Sequence, residues 1–431
     1  MAGPLRVFLG LSEVSGYYRS LRQGFEELGH PTEFIDLSRH PFQYGGADRS
    51  RLVEAYRFLA KRPEPWLRGA ARLPKQALFA WAAARFDVFI FGFGQSFLGH
   101  HRDLPILKAL KKKLIFQFHG SDARPAYLDG SVMAEDRGLS IPEGLARVHK
   151  QKVSIREIER YADAIVNIPT VAQLFERPYL NWLRVGLPNR PGRWPSWAEI
   201  EARPLDPSAP LRILHSPSHP AAKGSVEIRA MVEQLRSEGF SLELVELRGR
   251  PNAEVLAALE SSDIVFDQLY ADYGMPGFAC EAAWFARPVL IAGYAVDPWR
   301  TWLPEAERPP TRYVTPGEAL EALRGLCRAP ELRRSLGHAA RRFVETAWHP
   351  RAVAQRYLQI ARGEAPAEWW LDPRQHRYWR GCGLPEERAR ALIAAFLAEG
   401  GASGLQLDDK PEFLAEILGA AHSPLAPAAG A

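Results

Sequence analysis

LRILHSPSHPAAKGSVEI, residues 211–228, compresses a strand-to-helix crossing into one short stretch. The apolar run from Leu211 to Leu214 reads as a strand that ends at His215. A polar loop with Ser216 and Ser218 follows, and Lys223-Gly224-Ser225 opens a helix that continues to Ser237. In open α/β sheets ligands bind beyond the carboxyl ends of strands, where loops lead into helix N-termini. A lysine beside free backbone amides at the positive end of a helix suits a diphosphate. The stretch is not the phosphate loop GxxxxGK[ST], because no glycine stands six residues before Lys223, and this argues against a P-loop ATPase. The plainer alternative is a helix start with Ser225 as N-cap and Lys223 in solvent.

Residues 266–293, FDQLYADYGMPGFACEAAWFARPVLIAG, repeat the pattern. A strand ends at Asp267, and a loop containing Gly274 and Gly277 leads into a helix with Glu281 in its first turn. A further strand resumes at Val289. Glycines let a loop's backbone approach a ligand closely. A carboxylate placed like Glu281 can accept the two hydroxyl hydrogens of a ribose, or it can simply complement the helix dipole.

The same rhythm extends outward. Strands at Leu242 to Leu247 and Ile264 to Asp267 alternate with helices at Ala253 to Ser261 and Phe278 to Phe285, which predicts a doubly wound unit over 211–361. Upstream, Leu5 to Leu9, Tyr17 to Leu28 and Thr32 to Ile35 form a βαβ unit, and strands follow at Phe86 to Phe91, Leu114 to Phe118 and Ala164 to Ile168. Residues 1–187 therefore read as a second Rossmann-like unit. Prolines at 188, 191, 195, 204, 207 and 210 mark 188–210 as a linker. Residues 362–431 read as a mixed, tryptophan-containing extension with a disordered last dozen residues. The fold class expected is α/β, with two doubly wound Rossmann-like units facing a cleft.

The pair of stretches, HSPSHPAAKGS and DQLYADYGMPGFACEAAWFARPVL, resembles the donor-binding half of GT-B glycosyltransferases, in particular glycosyltransferase family 4. The resemblance is strong over 211 to about 300 and looser over 1–187 and 311–361. It implies that Lys223 contacts the donor diphosphate and that Glu281 holds the ribose. Ser216, Ser218, Gly224, Tyr273, Gly274, Gly277 and Phe278 are the accompanying donor-side candidates. The chain departs from the family in one place: the glutamate usual eight residues before the ribose glutamate is Tyr273 here. Asp272 is the candidate replacement near the transferred sugar, with the backbone amides of Gly277 and Phe278 as the other option. The arginine common ahead of the lysine is absent, its region reading Ser218-His219-Pro220. In the first unit, LIFQFHGSDARP places His119 at a strand's carboxyl end, where the family carries a histidine near the reacting sugar. Asp122 and Arg124 are acceptor-side candidates, with loop capping and pairing as their alternative. GLSEVSGYYRS resembles the first glycine loop of this fold, with Gly16 as its candidate.

Composition narrows the classes. Of 431 residues, 46% are hydrophobic and 24% charged, which excludes wholesale disorder. The net charge of +5 comes from scattered basic residues and suggests no nucleic-acid partner. Cys280, Cys327 and Cys382 form no CxxC pair, so neither a disulfide framework nor a thiolate zinc site is expected, and a reducing cytoplasmic setting fits. No apolar run approaches the roughly 20 residues of a membrane span. The basic first unit allows peripheral contact at an inner membrane face. No DxD sequence occurs, so the expectation is a metal-independent enzyme with no cofactor. It would take a nucleotide diphosphate sugar as co-substrate and a saccharide, lipid-linked or natural-product hydroxyl as acceptor. Resemblance to family 4 implies retention at the anomeric carbon. A GT-B sugar-nucleotide epimerase and a noncatalytic sugar-nucleotide-binding protein are the rival readings.

Overall fold

The computed structural model describes residues 3–38, 47–48, 50–134, 138–203 and 209–422. The first half folds as β1 (Val7–Leu11), α1 (Tyr17–Glu27), β2 (Thr32–Asp36), α2 (Arg51–Ala60), α3 (Pro65–Ala70), α4 (Arg72–Arg85), β3 (Val88–Gly92), α5 (Leu104–Ala109), β4 (Lys113–Gln117), α6 (Ile141–Tyr161), β5 (Ala164–Asn167), β6 (Tyr179–Asn181) and α7 (Trp182–Val185). After α8 (Trp197–Glu201), the second half runs β7 (Leu211–His215), α9 (Pro220–Lys223), α10 (Ser225–Ser237), β8 (Leu242–Glu246), α11 (Asn252–Glu260), β9 (Ile264–Ala271), α12 (Gly277–Trp284), β10 (Val289–Gly293), α13 (Val296–Trp302), β11 (Arg312–Val314), α14 (Ala319–Arg328) and α15 (Pro330–Thr346). The chain closes with α16 (Pro350–Arg362), β12 (Trp370–Leu371), α17 (Glu386–Gly400) and α18 (Pro411–His422).

Two sheets result. The first has the order β12-β6-β5-β4-β3-β1-β2, parallel except for β12, and the second, β11-β10-β9-β7-β8, is wholly parallel. Helices on both faces require the central strands to be apolar throughout, and β1 (VFLGL), β3 (VFIFG) and β10 (VLIAG) are buried at every position. The fold is thus α/β, two Rossmann-like units with the carboxyl edges of their sheets on one cleft. Predicted strand ends shift by one or two residues in most cases. The exception is β9, which extends to Ala271 where the sequence reading stopped at Asp267.

The proline-rich span is packed against the second unit. Ser196 caps α8 in a capping box with Glu199, the Trp194 ring lies 5.2 Å from Trp284, and the Trp197 indole N–H donates to Glu345 at 3.0 Å. Proline excludes ladder hydrogen bonding but not side-chain packing, and the tryptophans supply it. Residues 204–208 lie outside the described residues, as do 423–431 of the expected disordered tail; Ala420 and Ala421, also expected to be disordered, fall in α18.

The chain returns to the first unit earlier than the expected boundary at 361. The Tyr357 hydroxyl, on α16, donates to Gln117 on β4 at 2.6 Å and lies 2.8 Å from the Tyr17 hydroxyl on α1. The extension then adds β12 antiparallel to β6. The buried Lys152 ammonium on α6 binds the Leu174 carbonyl at 3.1 Å and the carboxylates of Glu176 and Asp409, both at 2.9 Å. A charge buried that deeply must be fully partnered, so Asp409 makes the extension a structural part of the first unit.

The close crossing of α1 and α16 depends on Gly24, where a Cβ would lie 2.1 Å from the Pro350 carbonyl oxygen. Gly24→Ala is expected to lower the urea-unfolding free energy by about 1–3 kcal/mol through overpacking. Gly69→Ala, at a helical glycine with open space around it, serves as the control and should leave stability unchanged or slightly raised. Equal stability of the two variants would contradict the crossing.

Candidate functional site

The loops at the carboxyl ends of β1, β4, β7, β8 and β9 enclose a cavity of about 400 Å³. Ser15, His119 and Arg124 face it from the first unit. Ser216, Ser218, Lys223, Asn252, Asp272, Tyr273, Gly277, Phe278 and Glu281 face it from the second.

Lys223 ends the short helix α9 and does not open α10; the left-handed Gly224 (φ 71°) separates the two helices. Glycine is required there both by φ and by space, since a Cβ would lie 2.6 Å from that of Leu269. Gly224 therefore shapes the turn and does not line the cavity. The alternative of a solvated lysine and a Ser225 cap fails. Lys223 Nζ is 2.9 Å from Asp267 Oδ1, while the Ser225 hydroxyl lies 2.8 Å from His215 Nε2. Asp267 is fully buried and its second carboxylate oxygen has no partner. The ion pair fixes the Lys223 ammonium at the cavity wall.

Glu281 lies one residue further along its helix than expected, just past the first turn, because α12 begins at Gly277 behind Pro276. Its Oε1 accepts a hydrogen bond from Asn252 Nδ2 at 2.9 Å, and burial pushes its carboxyl up to about 7. The first amides of α12 belong to Gly277 and Phe278, both in the cavity wall. Gly277 also allows close approach of the units: a Cβ there would lie 3.2 Å from Ser15 Cβ. Gly274 does not reach the cavity, since a Cβ on it would meet the Trp299 ring at 2.9 Å. Tyr273, where the family glutamate would stand, packs its ring 5.7 Å from Trp182 of the first unit.

Asp272, the candidate replacement near the transferred sugar, lines the cavity but is already paired. Its carboxylate is almost fully buried and forms an ion pair with Arg124, whose other side binds Asp129 at 3.1 Å. A buried carboxylate needs a countercharge, and Arg124 supplies it from across the cleft. Asp122 is absent from the cavity wall. It accepts the backbone N–H groups of His119 at 3.0 Å and Gly120 at 2.8 Å, the capping alternative, and so fixes the loop. His119 is held among Tyr17, Tyr18 and Trp182, with Nε2 3.1 Å from the Tyr18 hydroxyl. Burial pushes its imidazole down to about 3, so it is neutral and a weak base. Gly16 (φ 79°) is the N-cap of α1, and its neighbour Ser15 takes the cavity position assigned to it.

Sequence reading missed four residues. Asp267 was legible as a carboxylate inside an apolar strand. Arg250, in the β8–α11 loop, and Asn252, the first residue of α11, carried no signal beyond their polarity. Cys382 belongs to the extension. Its N–H donates to Leu128 O at 3.0 Å, its carbonyl accepts from Gly130 at 2.9 Å, and the next N–H, of Gly383, donates to Tyr270 O at 2.8 Å. Residues 382–383 therefore strap the two units together at the cavity wall. Burial pushes the Cys382 thiol up to about 12. Among the described residues, no group of three or more His, Cys, Asp and Glu is arranged to hold a metal ion.

No family model matches the chain, and no curated protein matches its sequence. Among solved structures the chain is similar to trehalose 6-phosphate synthase from Burkholderia multivorans, at 11% identity over 84% of this chain and 97% of that one, with a TM-score of 0.49. It is similar also to the catalytic domain of starch synthase IV from Arabidopsis thaliana bound to ADP and acarbose, at 13% identity over 84% and 99%, TM-score 0.46. A third is Anabaena HepE in complex with UDP-glucose, at 12% identity over 83% and 98%, TM-score 0.44. Likeness at this level assigns no reaction to the chain.

The raised Glu281 carboxyl has a pH consequence. Because its folded pKa of about 7 exceeds the ordinary glutamate value of 4.5, its contribution to stability is complete below about 4.5 and is lost as pH rises through about 7. Glu281→Gln keeps the Asn252 contact and removes the titration. The fall in unfolding free energy between about pH 5 and about pH 8 should shrink by an amount on the order of 1–3 kcal/mol. Part of the slope remains, because Glu13 and Asp122 are also raised by burial, to about 7 and about 6. An unchanged slope in urea unfolding would contradict a buried titrating Glu281.

Proposed function

We propose that this protein is a glycosyltransferase of the GT-B type, resembling family 4, that moves a sugar from a nucleotide diphosphate donor to a hydroxyl acceptor. One observation carries the reading: a lysine, the free first-turn amides of α12 and a buried Glu–Asn pair line one side of a cavity whose other side is the His119 loop. These groups match a diphosphate, a ribose and a sugar in that order.

In this reading Lys223 exchanges part of its contact with Asp267 for the diphosphate. The amides of Gly277 and Phe278 add a preorganised positive field aimed at the charge that develops as the bond to the leaving diphosphate breaks. Arg250, which lines the cavity from the β8–α11 loop, supplies a second cation in place of the absent arginine near Lys223. Glu281, steadied by Asn252, takes the ribose hydroxyls. His119 offers a neutral ring to the sugar. It is too weak a base to deprotonate an acceptor, and Asp272 is occupied by Arg124. The reaction we favour is a front-face one with retention. The anomeric carbon exchanges its bond to the diphosphate oxygen for one to the acceptor oxygen, and the acceptor proton passes to a diphosphate oxygen. Charge stabilisation by lysine and amides requires no metal or other cofactor, and a cytoplasmic setting supplies the nucleotide sugar.

The noncatalytic binding reading draws on one specific feature, Tyr273 in the family glutamate's place. It predicts donor binding without transfer or donor hydrolysis.

Calorimetric titration against UDP-, ADP-, GDP- and dTDP-sugars, followed by a turnover assay with the donor that binds, tests the proposal. Lys223→Ala should weaken donor binding roughly 10- to 100-fold, the worth of a charge-assisted contact. Wild-type affinity and turnover in that variant would overturn the assignment.

A further inference from the structure

Phe93 holds a backbone conformation that its side chain disfavours. It follows the last residue of β3 in the turn Gly92-Phe93-Gly94-Gln95, takes the left-handed region at φ 57°, and is 38% exposed. A single exposed phenylalanine is ordinary on a protein surface, but glycine would make this turn without the clash of a Cβ. For a bulky residue the left-handed region is a genuine outlier, and such outliers gather where a ligand is held. Ser15 (φ 52°), in the cavity wall, shares the conformation one strand away.

The sheet places Phe93 beside the cleft. β3 pairs with β1 on one side and β4 on the other, so the turn after it lies between the loop that carries Ser15 and the loop that carries His119. Both neighbours hold the turn. The Phe93 N–H donates to Gln117 O on β4 at 3.3 Å, and the Ser12 hydroxyl, just after β1, donates to Gln95 Oε1 at 3.0 Å. A Cβ on Gly92 would overlap the Tyr18 hydroxyl, which is itself 3.1 Å from His119 Nε2. With the fixed spacing of adjacent Cα atoms, these steps put the Phe93 Cα within roughly 10 Å of His119 Nε2. The ring is outside the enclosed cavity wall, and the Gln95 amide next to it is exposed.

Resting on the glycosyltransferase reading, we propose that Phe93 is an acceptor-side specificity residue that stacks on the apolar face of a saccharide ring, so that the acceptor is a sugar. A pyranose presents C–H groups on one face and hydroxyls around its edge, which matches one aromatic face beside a polar amide. A flat aromatic acceptor would instead set apolar surface against Gln95 and leave its amide without water or a partner. Stacking at this point holds one hydroxyl of the sugar toward His119 and the donor.

Steady-state kinetics with the nucleotide sugar that binds test it, using methyl glycosides of glucose, galactose, mannose and N-acetylglucosamine as acceptors and 4-nitrophenol as the aromatic comparison. Transfer to a glycoside and none to 4-nitrophenol is expected. Phe93→Asn removes the ring with a residue that tolerates the left-handed region, and it should raise the KM for that glycoside roughly 3- to 10-fold, the worth of one aromatic contact. Its donor affinity and its acceptor-free donor hydrolysis should stay at wild-type values. Phe93→Tyr keeps the ring and should keep the KM within about twofold. Thermal melts check that both variants fold. An unchanged KM in Phe93→Asn, a parallel loss of donor affinity, transfer to 4-nitrophenol alone, or donor binding with no glycoside accepted would each overturn the inference and leave the donor site standing. Absence of donor binding by the wild-type chain would instead overturn the proposed function, and the inference with it.

Discussion

Arg124 sits buried between Asp129 of its own loop and Asp272 just after β9, and the relation of the two units at the cleft rests on that contact. An arginine can bridge two carboxylates because its planar guanidinium offers five donors in fixed directions. Once the three groups are out of water none can be removed alone: taking away one partner of a buried pair costs about 3–5 kcal/mol through the charge left behind. The ion pair therefore sets the distance between the His119 loop and the glycine loop of β9–α12. The 382–383 strap, bonded to Leu128 and Gly130 on one side and Tyr270 on the other, reinforces the same spacing.

Within that frame the cavity walls divide their tasks by charge. The second unit contributes Lys223, Arg250 and the start of α12 on one side, with the partly protonated Glu281 beside Asn252 on the other. The first unit contributes the His119 ring, Ser15 and the carboxylate-paired Arg124. In the proposed transfer, such a division sets the anionic leaving group apart from the uncharged acceptor hydroxyl.

Much of this was legible in the sequence, for physical reasons. Fully apolar strand runs alternating with loops and amphipathic stretches point to parallel strands with helices on both faces, so most strands of both sheets could be read locally, while the short β6, β11 and β12 were not. Lys223, Glu281 and His119 were found because they follow strand carboxyl ends, and Tyr273 because it stands where the resembled family carries a glutamate. What was not legible depends on distant partners. Asp272 looked free because its arginine is 148 residues away, and Asp122 looked chemical because an Asx cap and an acceptor-binding carboxylate have the same sequence. Nothing local in Gly381-Cys382-Gly383 announces a strap, since its bonds run to residues 128, 130 and 270. Gly16, Gly224 and Gly274 were read as ligand contacts, yet they serve turns and close packing, uses that one-dimensional spacing does not distinguish.

The central claim is that one cleft between the two units receives a nucleotide diphosphate sugar. Hydrogen–deuterium exchange of the full chain, with and without a saturating nucleoside diphosphate from the UDP, ADP, GDP and dTDP set, tests it most directly. The account predicts added protection in 215–226 and 274–282 on the donor side, together with 119–124 across the cleft. Binding without protection in those segments, or protection confined to another surface, would contradict it.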